Sequence, residues 1–253
     1  MTELNSLERS TMQMQTERTV VVTGAAGGMG YATSRHLAAQ GWQVLGIDRA
    51  ENLKPLSKEI PGLHALVADL ADSGLPDRVA GALTSLPPVA GLVNMAGISV
   101  GDTIDRLSDE DWDLSFAVNV TPAMRLIRLL APRMKANGKG SIVNVGSPVG
   151  IVGARKPSYA ASKAALTGLT VSCARNLGPD NIRVNLLLPG PTLTGMTHDW
   201  SAERRAAIAD GSFLKRLCAP DEIARMLSFL LGEDCSYLTG SVIDMTAGSM
   251  WGH

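Results

Sequence analysis

The sequence predicts an α/β fold: a doubly wound parallel sheet of about seven strands, with helices on both faces, in a single domain. Three observations predict it. Short β-branched runs alternate with helical stretches from Thr19 onward. A glycine-dense turn, Thr23-Gly-Ala-Ala-Gly-Gly-Met-Gly30, stands between the first run and the first helix. Polar residues fall at the ends of later strands, the edge where open parallel sheets bind ligands.

The elements follow in order. Thr19–Thr23 reads as a buried strand, and Met29–Gln40 as a helix ended by Gly41. Trp42–Ile47 is a second strand, Asn52–Glu59 a short helix, and Leu63–Val67 a third strand, with Asp69 close behind. A weak helix over Asp77–Leu86 is broken by Pro87-Pro88, and Gly91–Asn94 is a fourth strand. Ser108–Ala136 reads as one long helical region whose first acids, Asp109 to Asp111, suit the positive end of the helix dipole. Gly140–Gly146 is a fifth strand, Ser158–Gly178 an Ala- and Leu-rich helix, and Ile182–Leu188 a sixth strand. A loop and helix over Leu193–Leu214 are placed to cover a pocket, Pro220–Leu231 is helical, and Ser241–Met245 is the last strand. There is no internal repeat.

The chain has 253 residues, 45% hydrophobic and 19% charged, as in an ordinary globular protein. Residues 1–18 are polar and lack the apolar block of a secretory signal, so they are expected to be a flexible extension; residues 19–253 form the domain. A net charge of −1 without a basic stripe gives no electrostatic case for nucleic acid or an anionic membrane. No apolar run is expected to span a bilayer. Cys173, Cys218 and Cys235 are scattered without metal-ligand spacing, which points to reduced thiols in a cytoplasm and to no metal.

Tyr159 and Lys163 stand four residues apart, on one helical face. An ammonium there favours the phenolate, so Lys163 is expected to lower the Tyr159 pKa and fit it to exchange a proton with a substrate oxygen. Gly24, Gly28 and Gly30, with Met29 between the last two, let backbone N–H groups approach a pyrophosphate at a helix N-terminus. Asp48 ends the second strand, where a carboxylate accepts hydrogen bonds from an adenosine ribose and repels a 2′-phosphate; NAD is therefore favoured over NADP. Arg49 is the dissenting charge.

Together with Asn94-Met-Ala-Gly97, Asn119 and Ser147, these motifs resemble the classical short-chain dehydrogenase/reductase family over about residues 19–250. The resemblance implies a Rossmann-type fold and hydride transfer between a nicotinamide cofactor and a secondary alcohol or ketone. Tyr159 would be the general acid/base, and Lys163 would tune it and hold the nicotinamide ribose. Ser147 would bind the substrate oxygen, and Asn119 would anchor a proton-relaying water. Asp69 and Leu70 would meet the adenine, and Asn94, Ala96 and Gly97 would support the middle of the cofactor. Pro189, Gly190, Thr192 and Thr194, in a PGxxxT run, would bind the carboxamide. A homotetramer is implied, with the helices near 108–136 and 158–178 at one interface.

The chain departs from the family in three places. Met95 replaces the second Asn of NNAG, Thr246-Ala-Gly-Ser249 replaces Asp-Gly-Gly, and Pro148 follows Ser147. Candidate substrate contacts are Val149, Met196 and Trp200, with His198 and Phe213 nearby, and Arg155 and Lys156 as either an anion site or solvated cations. An NADPH-dependent reductase and a catalytically silent dinucleotide-binding regulator are the alternative readings.

Overall fold

The structure, a computed structural model, describes residues 18–194, 197 and 200–250. The expectations for the N-terminal extension, Met196 and His198 otherwise lie outside the described residues. Seven parallel strands form one sheet in the order β3-β2-β1-β4-β5-β6-β7. They are β1 (Arg18–Thr23), β2 (Trp42–Asp48), β3 (Leu63–Val67), β4 (Val89–Asn94), β5 (Gly140–Val145), β6 (Ile182–Pro189) and β7 (Val242–Met245). The order reverses between β1 and β4, and that switch point opens a crevice beyond the strand ends.

Strand β1 shows why both faces carry helices. Val20 and Val22 point into one apolar cluster with Leu37, Leu227 and Leu230, whereas Val21 points into another with Leu126, Leu130 and Met134. All three valines are fully buried, each contributing roughly 1.5–3 kcal/mol of transfer free energy. Helices α1 (Gly28–Ala39) and α9 (Pro220–Leu231) cover the first face, and α3 (Leu75–Ala82) and α5 (Thr121–Ala136) supply the second cluster. Helix α2 (Leu53–Glu59) closes the β3 edge through fully buried Leu53.

The structure corrects the expected long helix. It is two helices, α4 (Asp109–Asn119) and α5, broken at Val120 (φ −122°, ψ −55°). Pro122 in the first turn of α5 has no N–H to continue the α4 ladder. The same stretch corrects a second expectation, because 109–136 is long and apolar enough to pass as a membrane span by length and composition. Its apolar side is core instead: Leu126, Ile127, Leu130 and Met134 are buried against the sheet. The weak helix ends early, at Ala82, and continues as a 3-10 turn over Leu83–Ser85. Between β5 and β6 lie a single-turn helix α6 (Val149–Val152), absent from the sequence reading, and α7 (Pro157–Leu177). Helix α8 (Ala202–Asp210) falls within the expected cover segment.

Candidate active site

The glycine turn is shaped by contacts that admit no side chain. Gly24 takes φ +73°, and a Cβ on it would stand 3.0 Å from Ala96 Cα. A Cβ on Gly30 would fall onto the Gly24 carbonyl. No side chain caps the N-terminus of α1, which leaves its first-turn N–H groups for a ligand anion. The cleft in front of them has a volume of about 310 Å³.

Of the sequence-predicted cofactor residues, the structure brings Gly24, Gly28, Met29, Gly30, Asp48, Arg49, Asp69, Leu70, Ala96, Gly97 and Thr194 to this cleft. The Asp48 carboxylate is held at both oxygens, Oδ2 accepting the Ala26 N–H and Oδ1 the Ala50 N–H, at 3.0 Å each. Arg49 beside it is exposed. Thr194 closes over the glycine turn, 3.2 Å from where a Gly28 Cβ would be.

The other cofactor candidates do not line the cleft. Asn94 is a sheet residue: its Nδ2 donates to Asn144 Oδ1 at 2.8 Å, the residue opposite it on β5. Gly190 is held by its N–H to the Met245 carbonyl at 3.0 Å, and a Cβ there would meet Thr246 Cα at 2.9 Å. Thr192 donates to the Gly190 carbonyl, and Pro189 is the last residue of β6. These three shape the segment that presents Thr194.

The catalytic candidates converge beside the cleft. The Ser147 hydroxyl lies near enough to the Tyr159 phenol to favour its ionised form. Helix α6 brings the two together, packing so tightly on α7 that a Gly150 Cβ would stand 2.8 Å from Ala164 N. Lys163 is 4% exposed, and its Nζ donates to the Val145 carbonyl at 3.0 Å. Asn119 Oδ1 accepts the Ile98 N–H, while its Nδ2 donates to the Ile98 carbonyl and to Ser162 Oγ. Both Asn119 Oδ1 and Lys163 Nζ lie 3.2 Å from where a Gly97 Cβ would project, so Gly97 keeps that space open.

The electrostatics correct the expectation for the Tyr–Lys pair. Burial pushes the Tyr159 pKa above its ordinary value, and the nearby Ser147 hydroxyl only partly offsets this. Burial lowers Lys163 to about 8. Desolvation outweighs the helical spacing because Lys163 Nζ sits 5.9 Å from the Tyr159 ring centre and spends a hydrogen bond on a carbonyl.

Among the substrate candidates, Val149 opens α6, half-buried and two residues past Ser147. Trp200 is half-buried with the Arg204 guanidinium 4.7 Å over its ring. Arg155 is paired with Asp102 Oδ1 at 3.0 Å, and Lys156 Nζ donates to the Ser99 carbonyl at 2.9 Å. Both cations therefore have protein partners, which the sequence reading did not foresee.

Sequence reasoning missed two further supports. Thr23 Oγ1 accepts the N–H groups of Met95 and Ala96, at 3.0 and 3.1 Å, tying the glycine turn to the end of β4. Ser162 links Asn119 to the Tyr159 carbonyl. Their positions, just before Gly24 and just before Lys163, are the signal that could have found them.

The family model described as short chain dehydrogenase matches residues 18–205. A 3-oxoacyl-[acyl-carrier-protein] reductase of Thermotoga maritima is 36% identical over 235 residues, covering 90% of this chain and 96% of that protein. A human (3R)-3-hydroxyacyl-CoA dehydrogenase is 36% identical over 246 residues, covering 90% and 94%. A solved structure of a 3-ketoacyl-(acyl-carrier-protein) reductase from Brucella melitensis complexed with NADH superposes with a TM-score of 0.87, at 28% identity, over 92% of this chain and 98% of that one.

Proposed function

The chain belongs to the short-chain dehydrogenase/reductase family, and from that premise we propose that it interconverts a ketone and a secondary alcohol using NAD(H), with Tyr159 as the proton-exchanging group. The observation that carries this reading is the meeting of Ser147, Tyr159 and buried Lys163 beside the cleft that the glycine turn lines. Nicotinamide, when bound, supplies or accepts the hydride. The protein's own work is to orient and to handle charge. Ser147 and Tyr159 donate to the carbonyl oxygen as negative charge develops on it, and Tyr159 then gives up its proton. A raised phenol pKa suits an acid that keeps its proton until the oxygen needs it. Lys163 supplies a buried positive charge nearby, and Asn119, beside it at Gly97, fixes the loop at Ile98.

The residues fit the cofactor. The uncapped N-terminus of α1 faces the cleft, the glycines leave room for a pyrophosphate, and a carboxylate ends β2. Asp48, braced by two backbone N–H groups, supports NAD over NADP, because a fixed carboxylate accepts from ribose hydroxyls and repels a phosphate. The NADH in the Brucella melitensis structure is consistent with that choice. Arg49 at the cleft rim is the observation that favours NADPH.

For the substrate we propose a 3-oxoacyl thioester, on the strength of the names of the relatives in Thermotoga maritima and human. A panel of ketones, alcohols and 3-oxoacyl thioesters, run with both dinucleotides in both directions, tests the whole reading. Turnover of a 3-oxoacyl thioester with NADH supports it. A chain that binds NADH but turns over nothing in the panel is a silent binding protein. We also propose a homotetramer, as the family resemblance implies, and a cytoplasmic setting, from the scattered Cys173, Cys218 and Cys235.

A further inference from the structure

Of the five residues Ile98 to Asp102 after β4, four are held by side-chain bonds, Ile98 by Asn119 and the others by Lys156, Ser158 and Arg155. Ile98 is bonded at both its N–H and its carbonyl by Asn119. The Ser99 carbonyl accepts from Lys156 Nζ at 2.9 Å, and the Val100 carbonyl from Ser158 Oγ at 3.0 Å. Gly101 takes φ +86°, and a Cβ there would be 2.8 Å from Ser158 Oγ. Asp102 Oδ1 accepts from Arg155 at 3.0 Å; it also accepts the Thr103 N–H, and Arg106 lies 4.0 Å from Asp102 Oδ2. The loop has no sheet or helix ladder of its own, so its carbonyls need such partners.

The other side of this seam is the start of α7. Lys156 is its N-cap, Pro157 and Ser158 follow, and Tyr159 is the third helical residue. The first turn of a helix is where N–H groups lack internal partners and where fraying begins. No side chain caps this N-terminus. The backbone that aims the Tyr159 phenol is therefore fixed by tertiary ties more than by the helix.

We propose that Lys156 and Ser158, with the Asp102–Arg155 pair as the outer closure, are positioning residues: they lock the first turn of α7 onto the 98–102 loop and so hold Tyr159 in register with the cleft. This rests on the reading of Tyr159 as the proton-exchanging group. It also gives Arg155 and Lys156 a task other than binding a substrate anion.

The test compares Lys156→Met, Lys156→Arg, Ser158→Ala, Asp102→Arg, Arg155→Asp and the exchanged pair Asp102→Arg/Arg155→Asp in the full chain. Lys156→Met and Ser158→Ala should lower kcat about tenfold or more, the scale expected for a displaced reacting group, while NADH affinity stays within about twofold. Lys156→Arg should restore most of the rate. The single charge changes should each lower kcat, and the exchanged pair should recover it, which keeps the proposal open to test even where a Ser158 variant fails to fold. Two results overturn it: kcat unchanged in Lys156→Met and in both single charge variants, or losses confined to NADH affinity. Retained activity in Tyr159→Phe would instead overturn the reading beneath it.

Discussion

Asn119 grips Ile98 at both ends of one peptide position, accepting its N–H at 2.8 Å and donating to its carbonyl at 3.0 Å. The grip occurs at the last residue of α4, immediately before the chain turns into α5. The break in the long helix thus places a side-chain amide, 3% exposed, against the loop that leaves β4.

Asn119→Ala removes three hydrogen bonds, one buried and two part-buried, and takes from the Ile98 N–H and carbonyl their protein partner. Each such orphaned group costs about 1–3 kcal/mol. The variant should melt several degrees lower and lose most of its turnover. Thermal unfolding beside steady-state rates checks this, and an unchanged melting temperature contradicts it.

Gly30→Ala would drive a Cβ onto the Gly24 carbonyl, which is backbone and cannot swing aside. The turn must open, and NADH affinity should fall by an order of magnitude or more, roughly the loss expected when an anion can no longer approach the helix N-terminus. Titration of NADH fluorescence reads it directly. Wild-type affinity would mean that the turn does not cradle the dinucleotide.

Asp48→Ala deletes the carboxylate fixed by Ala26 and Ala50. The ratio of kcat/KM for NADH over NADPH should shift by about tenfold or more toward NADPH, about 1.4 kcal/mol or above in relative transition-state binding. An unchanged ratio removes the basis for preferring NAD.

Lys163 makes stability depend on pH. Its pKa is lowered on folding, to about 8, so between that value and its ordinary one the unfolded chain binds the extra proton. Stability therefore rises with pH through this window. Below pH 8 the folded protein carries the full cost of a buried ammonium, on the order of 3 kcal/mol, and the cost fades toward pH 10.5. Lys163→Met should be the more stable protein at pH 7, and its advantage should shrink as pH approaches 10. Melting curves at several pH values measure this, and a constant difference contradicts it.

The fold was largely legible in the sequence because each strand is a short apolar run and each turn carries its own punctuation. Val20 to Val22 are buried on both faces, and so short a β-branched run before a glycine turn reads as a covered strand. The helix break was less legible. Pro122 was visible, but a proline in the first turn of one helix and a proline within a longer one look alike without the contact that Asn119 makes. The catalytic candidates were named as a set through the family resemblance, and the structure brings Ser147, Tyr159 and Lys163 together beside the cleft. Their electrostatics were not legible. Spacing says that a phenol and an ammonium share a helix face, but burial and the Val145 carbonyl decide which way each pKa moves. The partners of Arg155 and Lys156 were equally invisible, because loop carbonyls carry no sequence signature.

Tyr159→Phe tests the central claim most directly, assayed by single-turnover hydride transfer with NADH and a 3-oxoacyl thioester, alongside NADH titration. The variant should bind NADH as the parent does and transfer hydride about 10²–10⁴-fold more slowly, the contribution expected of a positioned general acid. Hydride transfer within a few fold of the parent would show that some other group supplies the proton.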